Sequence, residues 1–175
     1  MSTPGEVLTP DHRRLEKMLE ALKKKPAAAA FREVADHLTA HITVEEQRFY
    51  PAVRASRTED ILLEGLEEHL SLKRLLADLL ELEIDDPRFE AKLHVLAEQA
   101  EHHHKEEEEH LFPKLAKMFD GEKLAAMGEE LERSLRELDA AHIRSTVLQQ
   151  TDEAAPLQKP STSKKTAQRM LARDV

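Results

Sequence analysis

The chain has 175 residues, 40 % of them apolar but only 3 % aromatic, with no Trp, four Gly and 35 % charged residues. This is the composition of packed amphipathic helices, in a chain long enough for one domain with a real core. Cys is absent, which excludes disulfides, thiolate metal sites and cysteine nucleophiles. The net charge of −9 is uneven: from Gln158 onward there are five Lys/Arg and one Asp, so residues 1–157 carry −13, and such an acidic body opposes nucleic-acid binding.

The N-terminus, MSTPGEVLTPDH, has neither a basic region nor an apolar stretch, and no apolar run reaches the roughly 20 residues that span a bilayer. A cytoplasmic protein without membrane or nucleic-acid partners is the expectation. Thr9-Pro10 reads as the cap and first position of a helix whose face is Leu15, Met18, Leu19 and Leu22. Pro26 ends it. A second helix is expected over about 27–56, with Phe31, Val34, Leu38 and Phe49 on one stripe. Thr58 is the expected cap of a third, about 59–83, through Leu62, Leu66, Leu72, Leu76 and Leu79. Asp86-Pro87 opens a fourth, about 87–119, through Phe89, Leu93, Leu96 and Ala100. Asp120-Gly121 breaks that pattern, and Leu124, Met127, Leu131, Leu135 and Leu138 mark an extra helix over about 122–148. From Gln149 the composition turns to Thr, Ser, Pro, Gln and Lys, read as a disordered basic tail, 149–175. With no sustained strand alternation, these elements predict an all-α fold, an up-down antiparallel four-helix bundle over about 10–119.

An internal repeat lies on these helices. His41-Ile-Thr-Val-Glu45-Glu46-Gln-Arg-Phe-Tyr-Pro51 parallels His103-His-Lys-Glu-Glu107-Glu108-Glu-His-Leu-Phe-Pro113, 62 residues on. Before each copy, Asp11-His12-x-x-Leu15-x-x-x-Leu19-x-x-Leu22 parallels Glu68-His69-x-x-Leu72-x-x-x-Leu76-x-x-Leu79.

Residues four apart share a helix face, so His41 pairs with Glu45 and His103 with Glu107. Leu38, His41, Glu45 and Phe49 form one stripe, and Ala100, His103, Glu107 and Leu111 another. His12 begins the Leu15 stripe, and His69 falls between Leu66 and Leu72. All six polar groups therefore face the core. Buried carboxylates demand a cation, and no Lys or Arg lies on these stripes. Imidazole with carboxylate suits iron, manganese or zinc. Four His and two Glu exceed one tetrahedral zinc site and fit two ions with bridging carboxylates. Pro51 and Pro113 should kink or end their helices just past the ligands.

A lone His-x-x-x-Glu is more often an exposed ion pair; its recurrence with matching aromatic-Pro endings reverses that balance. His94, His102, His104, His110 and His142 are expected in solvent, and Glu46 and Glu108, rotated about 100° from the ligand face, at the surface. His37 stands one turn before His41 as an outer partner or extra ligand. Tyr50 either brings a phenol to the site or packs like Phe112.

At His12, His41-x-x-x-Glu45, His69 and His103-x-x-x-Glu107 the sequence resembles the hemerythrin-like, HHE cation-binding family, over about residues 10–148. The resemblance implies a carboxylate-bridged di-iron centre in a bundle, with 1–148 as the domain. Two departures resemble the family's bacterial branch. Lys73 stands where oxygen carriers have a second His on the third helix, and Glu107 follows its His by four residues, where the carriers use five. The expected activity is binding or sensing of O2, NO or a related ligand, or holding of iron. The alternatives are peroxide decomposition at the same centre and an interaction role in which the tail, 149–175, meets a protein partner.

Overall fold

The computed structural model of the chain describes residues 2–159. Every regular element among them is helical. Helix α1, Pro4–Lys24, starts earlier than Thr9-Pro10 suggests. Thr3 accepts from the Glu6 amide while the Glu6 carboxylate accepts from the Thr3 amide, and this reciprocal capping box satisfies two free donors of the first turn. Pro10 is then an interior residue, and His12 sits beyond the second turn, buried between Leu8 and Leu15.

The long second helix divides. Helix α2, Ala28–Val44, passes into a π-helical turn, Glu45–Phe49, and a short α3, Tyr50–Val53. Pro51 has no amide hydrogen and its ring crowds the carbonyl of the preceding turn. The backbone widens by one residue ahead of it, and the Tyr50 amide donates to the Glu45 carbonyl. The fourth helix repeats the device. Helix α5, Pro87–Glu106, is followed by a π turn, Glu107–Leu111, and α6, Phe112–Met118, and the Phe112 amide donates to the Glu107 carbonyl ahead of Pro113. The prolines thus widen their helices at the glutamates instead of ending them.

Helix α4, Glu59–Leu80, lies between them. Thr58 does not cap it: its hydroxyl closes the preceding turn, donating to the Val53 carbonyl at 2.8 Å. Asp86 does cap α5, accepting from the Arg88 amide at 2.8 Å. Asp120 caps α7, Gly121–Ala140, which is shorter than the sequence suggests and gives way to a 3-10 turn, Arg144–Gln149. The buried Asp36 on α2 fixes that reversal, accepting from the Arg144 amide at 3.0 Å and from its guanidinium at 2.6 Å.

Helix α5 packs against both α1 and α4, and α7 covers α1 and α2. At Gly128 on α7 a Cβ would fall 1.7 Å from the Ser2 carbonyl oxygen, so only glycine lets the N-terminal segment cross there. Two apolar clusters fill the interior. The first holds Leu15, Leu19, Leu38, Leu72, Leu76, Leu93 and Leu96 among others, the second Leu8, Phe49, Tyr50, Leu62, Leu66 and Leu111. Along α1 the buried residues pass from the second cluster to the first, along α2 the reverse, and α4 and α5 repeat the alternation. Each crossing is marked by a buried histidine. Residues 150–157, expected in the tail, are held to the bundle: Arg74 on α4 donates to the carbonyls of Thr151 and Asp152, and Arg54, just past α3, to that of Leu157. The remainder of that segment, 160–175, lies outside the described residues. No described helix is long and apolar enough to cross a membrane.

Candidate metal centre

The layer between the two apolar clusters is where the six residues singled out by the repeat converge. His12, His41, Glu45, His69, His103 and Glu107 are each at most 2 % exposed. Glu45 is the hub. Its Oε1 lies 3.0 Å from His41 Nε2 and 3.8 Å from His12 Nε2. Its Oε2 lies 3.0 Å from His69 Nε2 and 3.6 Å from His103 Nε2. One carboxylate therefore addresses two imidazole pairs, one with each oxygen. Glu107 is placed differently: Oε2 is 3.4 Å from His12 Nε2, while Oε1 accepts from the Tyr50 hydroxyl at 3.0 Å.

Each of the four imidazoles turns its outer nitrogen to a second carboxylate. His12 Nδ1 is 2.8 Å from Glu108, His41 Nδ1 2.8 Å from Asp11, His69 Nδ1 3.3 Å from Glu46 and His103 Nδ1 2.7 Å from Glu68. A carboxylate only accepts, so in His12, His41 and His103 Nδ1 carries the proton and Nε2 presents its lone pair to the interior. This is the outer arrangement that orients metal-bound histidines. It follows the repeat. Asp11 and Glu68, each preceding the first histidine of its half, serve the histidine of the next helix. Glu46 and Glu108, each following a central glutamate, serve the first histidine of the opposite half.

Glu46 and Glu108, expected at the surface, are thus corrected to partners of the centre, Glu46 being buried. A rotation of about 100° off the core face still points at a neighbouring helix when that helix lies alongside. His104, expected in solvent, is also buried: its ring stacks on His12 with centroids 4.1 Å apart and planes 1° apart. His94, His102, His110 and His142 are exposed, as expected. His37 is an outer residue, 2.8 Å from the second Asp11 oxygen and 3.1 Å from Asp139 on α7. Tyr50 does reach the site, and its ring stacks on His69. Lys73 is buried but turned away from the centre, donating to Glu46 at 2.8 Å. The acids preceding His12 and His69 and those following Glu45 and Glu107, recurring in both copies, were the signal for these outer partners.

The donor set fits a cation. His69 and His103 bring their Nε2 atoms within 2.9 Å of each other, beside the Glu45 carboxylate. Two lone pairs and an anion at that range repel unless positive charge lies among them. His12 Nε2, His41 Nε2, Glu45 Oε1 and Glu107 Oε2 are buried without a hydrogen-bond partner. Ligand atoms of Glu45, His69 and His103 lie within 4.8 Å of one another, and so do those of His12, Glu45 and Glu107. Imidazole nitrogen with carboxylate oxygen suits iron, manganese or zinc.

Proton affinities report the same demand. Burial opposes a charge on His12, but the Glu107 and Glu45 carboxylates beside it carry its pKa up to about 9. Burial likewise opposes a charge on His103, yet Glu45 and Glu68 raise it to about 10. His41 is raised well above its ordinary value against the same burial penalty, by Glu45 and Asp11. Glu45 is held well below the carboxylate range, the imidazoles around it outweighing its burial. His104 goes the other way: burial, with the neighbouring imidazoles, lowers it to about 3 despite its bond to Glu16. A narrow crevice of about 10 Å3, lined by Tyr50, Gly65, Glu68, His103 and Glu107, leads in between α4 and α5.

Residues 3–115 match the model of a protein family described as the hemerythrin HHE cation-binding domain. The match ends inside α6 and leaves α7 and the 3-10 turn beyond it. No curated protein and no solved structure matches the chain.

Proposed function

As this chain belongs to the hemerythrin HHE cation-binding family, we propose that it is a non-heme di-iron protein that binds O2 or a related small ligand. The carrying observation is the division of the Glu45 oxygens between two histidine pairs, His12 with His41 and His69 with His103. One ion held by each pair would share Glu45, and Glu107 would complete the set from the π turn after α5. The alternating passage of α1, α2, α4 and α5 between the two apolar clusters supports an up-down four-helix bundle around it.

When bound, such an iron pair supplies two electrons to a small oxidant. The chain's own part is to hold and shield. Asp11, Glu46, Glu68 and Glu108 fix the imidazole rings. The apolar clusters on either side keep bulk water out, which strengthens every charge interaction within. The Tyr50 hydroxyl holds one Glu107 oxygen and stands where the crevice enters. A crevice with room for about one water-sized molecule admits only very small ligands. The test is anaerobic purification, metal analysis and an absorption spectrum on admitting oxygen or azide. About two irons per chain with a new visible charge-transfer band is the expected result; a chain that retains no transition metal refutes the reading.

Peroxide decomposition is the second reading. The position of Lys73 favours it, since the ammonium turns outward to Glu46 and leaves the His69–His103 side with two imidazoles. Oxygen release from added peroxide that exceeds that of free iron, and that is lost in Glu45→Ala, would support it. Turnover no faster than that of free iron removes it.

A further inference from the structure

The repeat is broken at one pair of positions beside the centre. His104 follows His103 as Ile42 follows His41, so an imidazole occupies one half where the other has an aliphatic side chain packed in the first apolar cluster. Helix α5 lies between α1 and α4. Adjacent positions on it, rotated by about 100°, therefore face different neighbours. His103 meets α4 through Glu68 and His69, and His104 meets α1 through His12 and Glu16.

His104 shares three marks with His12 and His41. It is 1 % exposed. Its Nδ1 is held by an outer carboxylate, Glu16, at 3.1 Å. Its Nε2 is buried without a partner. Ligand atoms of His12, His41 and His104 lie within 4.8 Å of one another. Its neighbour His102, by contrast, is exposed.

We propose that His104 is a fifth imidazole ligand, joining His12 and His41 on one ion and leaving the His69–His103 ion with the open position. The inference rests on the two-ion reading above. His12 and His104, whose rings stack, would share that ion with His41. The centre becomes unequal: three imidazoles lie on the side away from the crevice, and two lie on the side that the crevice, past Tyr50 and His103, reaches. A small ligand would then bind on the His69–His103 side.

Cobalt(II) loaded into the full chain tests this directly, because each coordinated imidazole that keeps its Nδ1 proton gives one exchangeable, strongly shifted proton resonance. Five such signals are expected with two cobalt ions bound. His104→Gln should leave four, and His102→Gln five. Four signals in the native chain with two ions bound would overturn the assignment of His104 while leaving the two-ion centre standing. A chain that binds no cobalt would overturn both. Counting in the native protein keeps the test decisive even if the His104 variant folds poorly.

Discussion

The Tyr50 hydroxyl donates to Glu107 Oε1 at 3.0 Å, so the end of one copy of the repeat is tied to the central acid of the other. Gly65 on α4 makes room for it: a Cβ there would lie 2.5 Å from the Tyr50 oxygen.

Gly65→Ala should therefore push the phenol off Glu107 and close the crevice. Overpacking of this kind costs about 1–3 kcal/mol. The expected outcome is a lower urea midpoint together with slower azide binding to the iron-loaded chain, followed by absorption in a stopped-flow instrument. Tyr50→Phe should cost about 1–3 kcal/mol by removing the donor that the described residues supply to that oxygen, but leave the crevice open and azide binding fast. Equal slowing in both variants would sever the link between Gly65 and access.

Glu45 meets all four histidines, whereas Glu107 approaches only His12 within 3.4 Å. Glu45→Ala should thus abolish binding of the ion pair, and Glu107→Ala should retain more metal than Glu45→Ala. Metal analysis after anaerobic loading and gel filtration checks the order; equal retention would contradict the hub role of Glu45.

Asp11 links two histidines, His37 and His41, through its two oxygens at 2.8 Å each. Asp11→Asn keeps the shape but replaces an anionic acceptor with a weaker neutral one. Loss of such an outer partner costs about 10- to 100-fold in metal affinity. Competition with a coloured chelator measures it. An affinity within twofold of the parent would show that Asp11 does not orient His41.

Acidity enters with a definite sign in the metal-free chain. His12, facing Glu45, Glu107, Glu108, His41 and His104, has its pKa raised from 6.5 to about 9. His103, facing Glu45, Glu68, Glu107 and His69, is raised to about 10. A raised folded-state value adds stability that is complete below 6.5 and is lost as pH climbs through 9 and 10. The urea midpoint of metal-free protein should fall across that window, and that of iron-loaded protein should fall less, since the metal takes the place of the protons. Parallel profiles for the two forms would refute this.

The apolar stripes and the six converging side chains were legible in the sequence because both rest on local periodicity. His41 and Glu45 share a face in any helix, and the stripe from Leu38 to Phe49 says that the face is buried. The starts of α5 and α7 were equally readable, since Asp86 and Asp120 act on amides within three residues. The start of α1 is not legible because two caps compete: Thr3 with Glu6 makes the reciprocal box, and Pro10 is tolerated in the helix that results.

Sequence alone determined that four histidines and two glutamates enter the interior, because a helix carries its facing residues at a fixed interval whatever surrounds it. Tertiary structure alone decided which partners they meet there. Glu108 reaches His12 across 96 positions, and Glu16 reaches His104 across 88. Such pairings depend on which helix lies alongside, and a position about 100° off the core face is solvent in a lone helix but interior where two helices flank it, as α1 and α4 flank α5.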